Sequence, residues 1–196
     1  MPQITRDSLM TLEAYAKARQ EFRVRVMAHK KNRKVHLGEN VTLIFEDELT
    51  IRYQIQEMLR VEKIFEEEGI LDELGAYSPL VPDGGNWKAT MMIEYPDPVE
   101  RAIRLAELIG IEDKAWVRVN GHDPVYAIAD EDLERETAEK TSSVHFRCFE
   151  LARDMIAAQR QGAPLNMGID HPAYEVAPLV VTAAVRDSLL NDLTVS

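Results

Sequence analysis

A chain of 196 residues can form one domain with a sizeable core, and its 45% hydrophobic and 29% charged content is ordinary for a globular fold. No apolar run approaches the ~18 residues a membrane span needs, and the opening MPQITRDSLMTLE has no apolar signal core. The single cysteine, Cys148, excludes an internal disulfide and any Cys-only zinc or iron–sulfur site within one chain, so a reducing cytoplasm is the expected compartment.

Net charge is −11, but it is unevenly spread. Residues 17–36 hold eight Lys or Arg against one acid, a charge of +7, which leaves −18 for the rest. The acidic remainder would repel a phosphate backbone, which disfavours nucleic acid. The basic segment is expected to dock on acidic helices of its own fold or to solvate one helix face.

In chain order, two helices open the protein. Thr5 or Asp7 can cap the first, with Leu9, Leu12, Tyr15 and Ala16 on one face. The second runs from about Gln20 to Asn32, with Phe22, Val26 and His29 at helical spacing; Phe22, Val24 and Val26 also alternate, so a strand stays open there. Lys34–Leu37 and Val41–Glu46 flank Gly38-Glu39-Asn40 as a hairpin.

A long helix follows over Thr50–Glu68, stopped by Gly69. Ile51, Ile55, Met58, Leu59, Val61 and Phe65 share one broad arc of it. Glu62 falls near the middle of that arc, with Gln54 and Glu66 towards its flanks and Glu57 on the exposed side. A carboxylate so placed must be paired, protonated or bound to something, because burying a bare charge is costly. Gln54, Glu62, Glu66 and His29 are therefore the candidate ligand-binding residues. A structural pair between Glu62 and His29, Arg23 or Arg25 is the competing reading.

A short helix over 71–76 leads into a loop at Asp83-Gly84-Gly85-Asn86, which lacks any phosphate-loop pattern. Trp87–Tyr95 alternates as a half-buried strand. Asp97, Pro98 and Glu100 open a helix that ends at Gly110. Strands are expected at 115–119 and 125–129, then an exposed helix or mobile loop over the charged stretch 130–140. A strand over 143–151 places Cys148 with Val144 and Phe146 as a buried, inert thiol, and His145 on the opposite face. A helix over 153–161, a strand pair 165–170 and 174–176, and a helix over 182–193 close the chain. The five histidines show no metal-ligand spacing, so each is expected at the surface or hydrogen-bonded. Adjacent hairpins outnumber strand–helix–strand units. The expected class is α+β, with a mostly antiparallel sheet and a helical N-terminal layer, in a single domain whose helical part covers about 1–80 and sheet-rich part about 81–196.

Several phrases together carry a resemblance: ITRDSL, EFRVRVMAHKKNRKVHLG, TIRYQIQEMLRVEKIFEEEGI, PLVPDGGNWKATMMIE, YAIADEDLERETAEKTSSVHFRCFEL and IDHPAY. Over nearly its whole length the chain resembles a bacterial family known only as a domain of unknown function. The resemblance implies a gene neighbourhood of rubrerythrin-like proteins and iron–sulfur oxidoreductases of the heterodisulfide-reductase type, hence a redox or oxidative-stress setting. Three functions stand open: a non-enzymatic accessory protein with such a partner, a metal- or small-ligand-binding enzyme centred on Glu62, and a nucleic-acid regulator using residues 17–36. The sequence leaves the cofactor unknown, and a homo-oligomer stays open.

Overall fold

The computed structural model describes residues 4–130 and 140–194; the charged stretch 131–139 lies outside them. The fold is α+β, with six helices and nine strands among these residues. After a 3₁₀ turn at Arg6–Ser8, one continuous helix α1 (Leu12–Lys30) replaces the two expected. Thr11 caps it by accepting from the Ala14 amide. No Gly or Pro lies between 12 and 30 to break it, so the ambiguity at 22–26 resolves as helix.

The hairpin β1 (Lys34–Leu37) and β2 (Val41–Glu46) forms at the expected residues. Then come α2 (Glu48–Val61), α3 (Glu67–Tyr77), β3 (Asn86–Ile93) and α4 (Pro98–Glu107). β4 (Ala115–Val119), β5 (Val125–Tyr126), β6 (Ile128–Ala129), β7 (Val144–Glu150) and α5 (Arg153–Arg160) follow. The chain closes with β8 (Leu165–Ile169), β9 (Leu179–Val180) and α6 (Ala183–Leu190). The strand expected at 174–176 is only a bridge from Tyr174 to His171; β8 pairs with β9 instead.

The expected helix over 50–68 is two. Glu62 caps α2, Lys63 takes φ of +55°, and the Ile64 amide bonds back to the Leu59 carbonyl at 2.9 Å. That closes a Schellman turn with a lysine where glycine is usual, and the accompanying contact is the packing of Ile64 in the cluster of Leu59. Gly69, expected as the terminator, sits inside α3, where a Cβ would meet Ile64 Cγ2 at 2.7 Å.

Two antiparallel sheets carry the core. One runs β1-β2-β3-β7-β6 and the other β5-β4-β8-β9. Residues of β1 and β2 join those of the sheet-rich part in one apolar cluster, so the hairpin belongs to the same core as β3 and β7. Alternation sorts the first sheet cleanly. Leu43, Phe45, Trp87, Ala89, Met91 and Phe149 enter this shared core, while Cys148 and Phe146 share the opposite face of β7. Phe146 packs on a second cluster built by Ile51, Ile55 and Leu59 of α2 with Ile70 and Leu74 of α3. Tyr15, Phe22 and Val26 bring α1 onto Tyr53 of α2 through edge-on aromatic contacts. The three N-terminal helices thus form the expected layer, with α2 between α1 and α3.

In the second sheet Trp116 lies across Gly168, its register partner, so closely that a Cβ would sit 2.4 Å from the ring. Gly168→Ala is expected to cost about 1–3 kcal/mol by overpacking. Urea denaturation checks this; an unchanged midpoint would show that the ring can move aside freely.

Candidate functional site

Helix α1 presents two different sides. Inward, Tyr15 and Arg19 converge on Glu57: the tyrosine hydroxyl donates at 2.7 Å, and Arg19 donates through Nε at 2.7 Å and Nη2 at 3.0 Å. Arg60 adds a bond at 3.2 Å. The Arg19 guanidinium is the main cause that holds the Glu57 carboxyl down at about 2, against the opposing effect of burial. Glu57, expected on the exposed side, is therefore the recessed carboxylate of α2. The reason is that α1 covers the polar side of α2 as well. Gln56 on that helix is fully buried, accepting from the Met10 amide at 2.7 Å and donating to its carbonyl at 3.3 Å.

At its C-terminal end α1 runs into a buried ionic knot. Arg33 is 1% exposed. It donates to the carbonyls of Phe45 (2.8 Å) and Glu46 (3.0 Å), to Ser188, and to Asp192 at 2.5 Å. Asp47 lies 3.5 Å from it. His29 pairs with Asp47 at 2.5 Å, and Asp47 caps α2 through the Thr50 amide. Burial pushes the Asp192 carboxyl up to about 6, with Arg33 opposing. In Asp47 the burial penalty is outweighed by Arg33, Thr50 and His29 together, so its carboxyl is lowered.

Glu62, expected inside the apolar arc, is an exposed C-cap, and Glu66 is an exposed N-cap of α3. The wheel does not continue through Lys63, which turns Phe65 outward; Val61, at the end of α2, is exposed as well. Gln54 is half-buried in the middle of α2. His29 docks at one end of α2 and Glu62 caps the other, fourteen residues or about 21 Å of helix apart. The four candidate residues do not converge on one site.

The other histidines are hydrogen-bonded or at the surface, as expected. His36 meets Thr42, His122 meets Asp154, and His171 lies between the Ile109 carbonyl and the Ala173 amide. His145 is buried; its Nε2 lies 2.9 Å from the Ser142 carbonyl and 3.0 Å from Thr141, whose hydroxyl donates to Glu112. Cys148 is the buried thiol expected. It donates to Glu150 at 3.1 Å, and burial pushes it up to about 12, which keeps it a poor nucleophile. Among the described residues no group of three or more His, Cys, Asp or Glu side chains could hold a metal ion. No described helix is long and apolar enough to cross a membrane.

Outward, α1 is different. Gln20, Val24, Met27 and Lys31 recur at spacings of four, three and four, the seam spacing of a paired helix. Val24 is 66% and Met27 38% exposed. With Arg23, Ala28 and the edge of Arg19 they line a shallow groove of about 570 Å³. The basic segment divides by direction. Arg19 and Arg33 are spent on internal acids, Arg25 stacks on Phe22 at 4.9 Å, and Arg23, Lys30, Lys31 and Lys34 form no ion pair among the described residues. Both halves of the expectation for residues 17–36 hold, for different residues. The sequence did not separate them, although the 4-3-4 spacing is visible in it.

The family model for the protein of unknown function DUF3501 matches residues 3–193. The chain belongs to this family. A crystal structure described as a novel protein of unknown function from Burkholderia pseudomallei is similar to this DUF3501 member at 57% identity and a TM-score of 0.93, over 98% of this chain and 100% of that one. No curated protein matches the chain.

The Glu57 knot has a measurable pH signature. Its carboxyl lies below the ordinary 4.5 in the folded protein, so the stability it contributes is present above that value and is lost as pH falls towards about 2. Glu57→Gln is expected to cost about 1–2 kcal/mol at pH 7 and to flatten the fall in stability below pH 4.5. Denaturation curves collected from pH 7 to pH 3 check both; an acid limb as steep as that of the wild type would contradict the assignment.

Proposed function

We propose that this DUF3501 member is a non-enzymatic accessory protein that docks on an acidic partner through the outward face of α1, within a cytosolic redox or oxidative-stress pathway. One observation carries the reading: an apolar seam of Val24 and Met27 flanked by Arg23 and Lys31, cations without internal partners among the described residues, on a chain whose remainder is strongly acidic. An exposed apolar stripe rimmed by one sign of charge is what a recognition surface requires. The apolar centre supplies affinity, and the rim supplies orientation and association rate.

The partner class follows from charge and from the family resemblance. An acidic iron–sulfur oxidoreductase or rubrerythrin-like protein suits a basic seam, and the gene neighbourhood implied for the family supplies both. Nucleic acid suits it less, because the acidic surface beyond α1 opposes a polyanion.

The test is binding of the purified neighbour-encoded iron–sulfur or rubrerythrin-like protein under reducing, anaerobic conditions. Binding is expected to weaken with added salt, and by about tenfold or more in Arg23→Glu/Lys31→Glu. Both side chains point into solvent, so melting should be unchanged. Failure of the wild type to bind at low salt, or equal binding by the double variant, would overturn the reading.

A further inference from the structure

The acidic counterpart of the α1 seam lies on the turn between α2 and α3. Residues 61–73 carry six acids against one lysine. Three large apolar side chains stand out of that field: Phe65 is 72% exposed, Val61 52% and Leu71 51%. Of the acids only Glu67 is spent on a described cation, Arg6 at 2.9 Å. The acids act on one another. The Glu73 carboxyl is raised by burial first, then by the charges of Glu62 and Asp72, which places the turn and α3 in one field.

Phe65 is not presented on a slack loop. The Schellman turn fixes the backbone on its N-terminal side, through Lys63 in the left-handed region and the bond from Ile64 to Leu59. Ile64 is packed on the α2–α3 cluster and held against Gly69, where even a methyl group would collide with it. On the C-terminal side Glu66 begins α3, and the Ile70 amide bonds to its carbonyl at 3.1 Å. An aromatic side chain held outward by a rigid turn loses little entropy on burial, which is the property of an interface anchor.

We propose that Val61, Phe65 and Leu71 together form an apolar knuckle edged by the neighbouring glutamates, that this is a second docking surface, and that its occupant is a basic amphipathic helix of a partner protein. Phe65 is the anchor that enters between apolar side chains of that helix. The rim of Glu62, Glu66 and Glu68 faces its lysines and arginines. With α1 offering the opposite charge, the chain would hold an acidic partner and a basic partner at once. That is the arrangement of an adaptor, and it does not depend on the identity of the α1 partner.

The probe is a fluorescein-labelled synthetic Leu/Lys amphipathic helix, followed by anisotropy against the full chain, with the corresponding Leu/Glu helix as its opposite. The basic probe is expected to bind, and Phe65→Ser and Leu71→Ser are each expected to weaken it about tenfold or more. Both side chains are exposed, so melting should stay as in the wild type. Arg23→Glu/Lys31→Glu should not weaken the basic probe, and Ile103→Ser, at another exposed apolar position, should leave it unchanged. Equal affinity for wild type and Phe65→Ser would show that charge alone holds the probe and would overturn the proposal. No binding at low salt would overturn it as well. A concentration-dependent dimer abolished by Phe65→Ser would make a second copy the occupant and remove the basic partner.

Discussion

The guanidinium of Arg33 is the point at which four parts of the chain meet. It follows α1, it bonds the carbonyls of Phe45 and Glu46 where β2 leads into α2, and it holds Ser188 and Asp192 at the end of α6. A buried ion pair is weak support for stability by itself, because desolvation offsets most of the attraction. Removing one partner is another matter, since it leaves a buried charge uncompensated. Here one cation serves two aspartates, Asp47 and Asp192, and each of its three nitrogens has a partner. The knot therefore fixes position more than it adds free energy. The N-terminal helical layer cannot slide along the sheet without breaking it.

That constraint sets the two outward faces. With its C-terminal end pinned at Arg33 and His29, and its inner side held by Tyr15, Arg19, Phe22 and Val26, α1 has one orientation. Val24 and Met27 must then point to solvent. At the opposite end of α2 the Schellman turn does the same for Phe65. Polar groups that a catalytic reading would use are largely committed inside: Glu57 to Arg19 and Tyr15, Cys148 to Glu150, Lys88 to Asp130. These residues act as joints within the fold.

Much of the fold was readable because local rules act alone there. The hairpin 34–46 is set by Gly38 in the left-handed region and by alternation on either side. Asp97 with Pro98 opens α4 as the capping pattern requires. Where tertiary packing decides, the reading failed. A glycine at 69 looked like a stop, but Lys63 stops the helix, paying the left-handed strain because Ile64 needs to reach the α2–α3 cluster. The wheel placed Glu62 inside and Glu57 outside, and both are reversed: Glu62 is the exposed cap at the end of α2, and α1 covers the side that carries Glu57. The burial of Gln56 against Met10 and the bonds of Arg33 to Ser188 and Asp192 could not be foreseen, since these partners are 46 and 155–159 residues away in sequence. The α1 seam was legible as spacing but not as direction, because nothing local says which side of a helix meets the core.

The most direct measurement is native-state hydrogen exchange on Arg33→Lys, which keeps the charge and removes the fork of bonds. If the knot joins the helical layer to the sheet, amides in the last turns of α1 and in α6 lose protection together, while those of β3 and β7 keep theirs. Wild-type protection throughout α1, or loosening of α6 alone, would contradict the account.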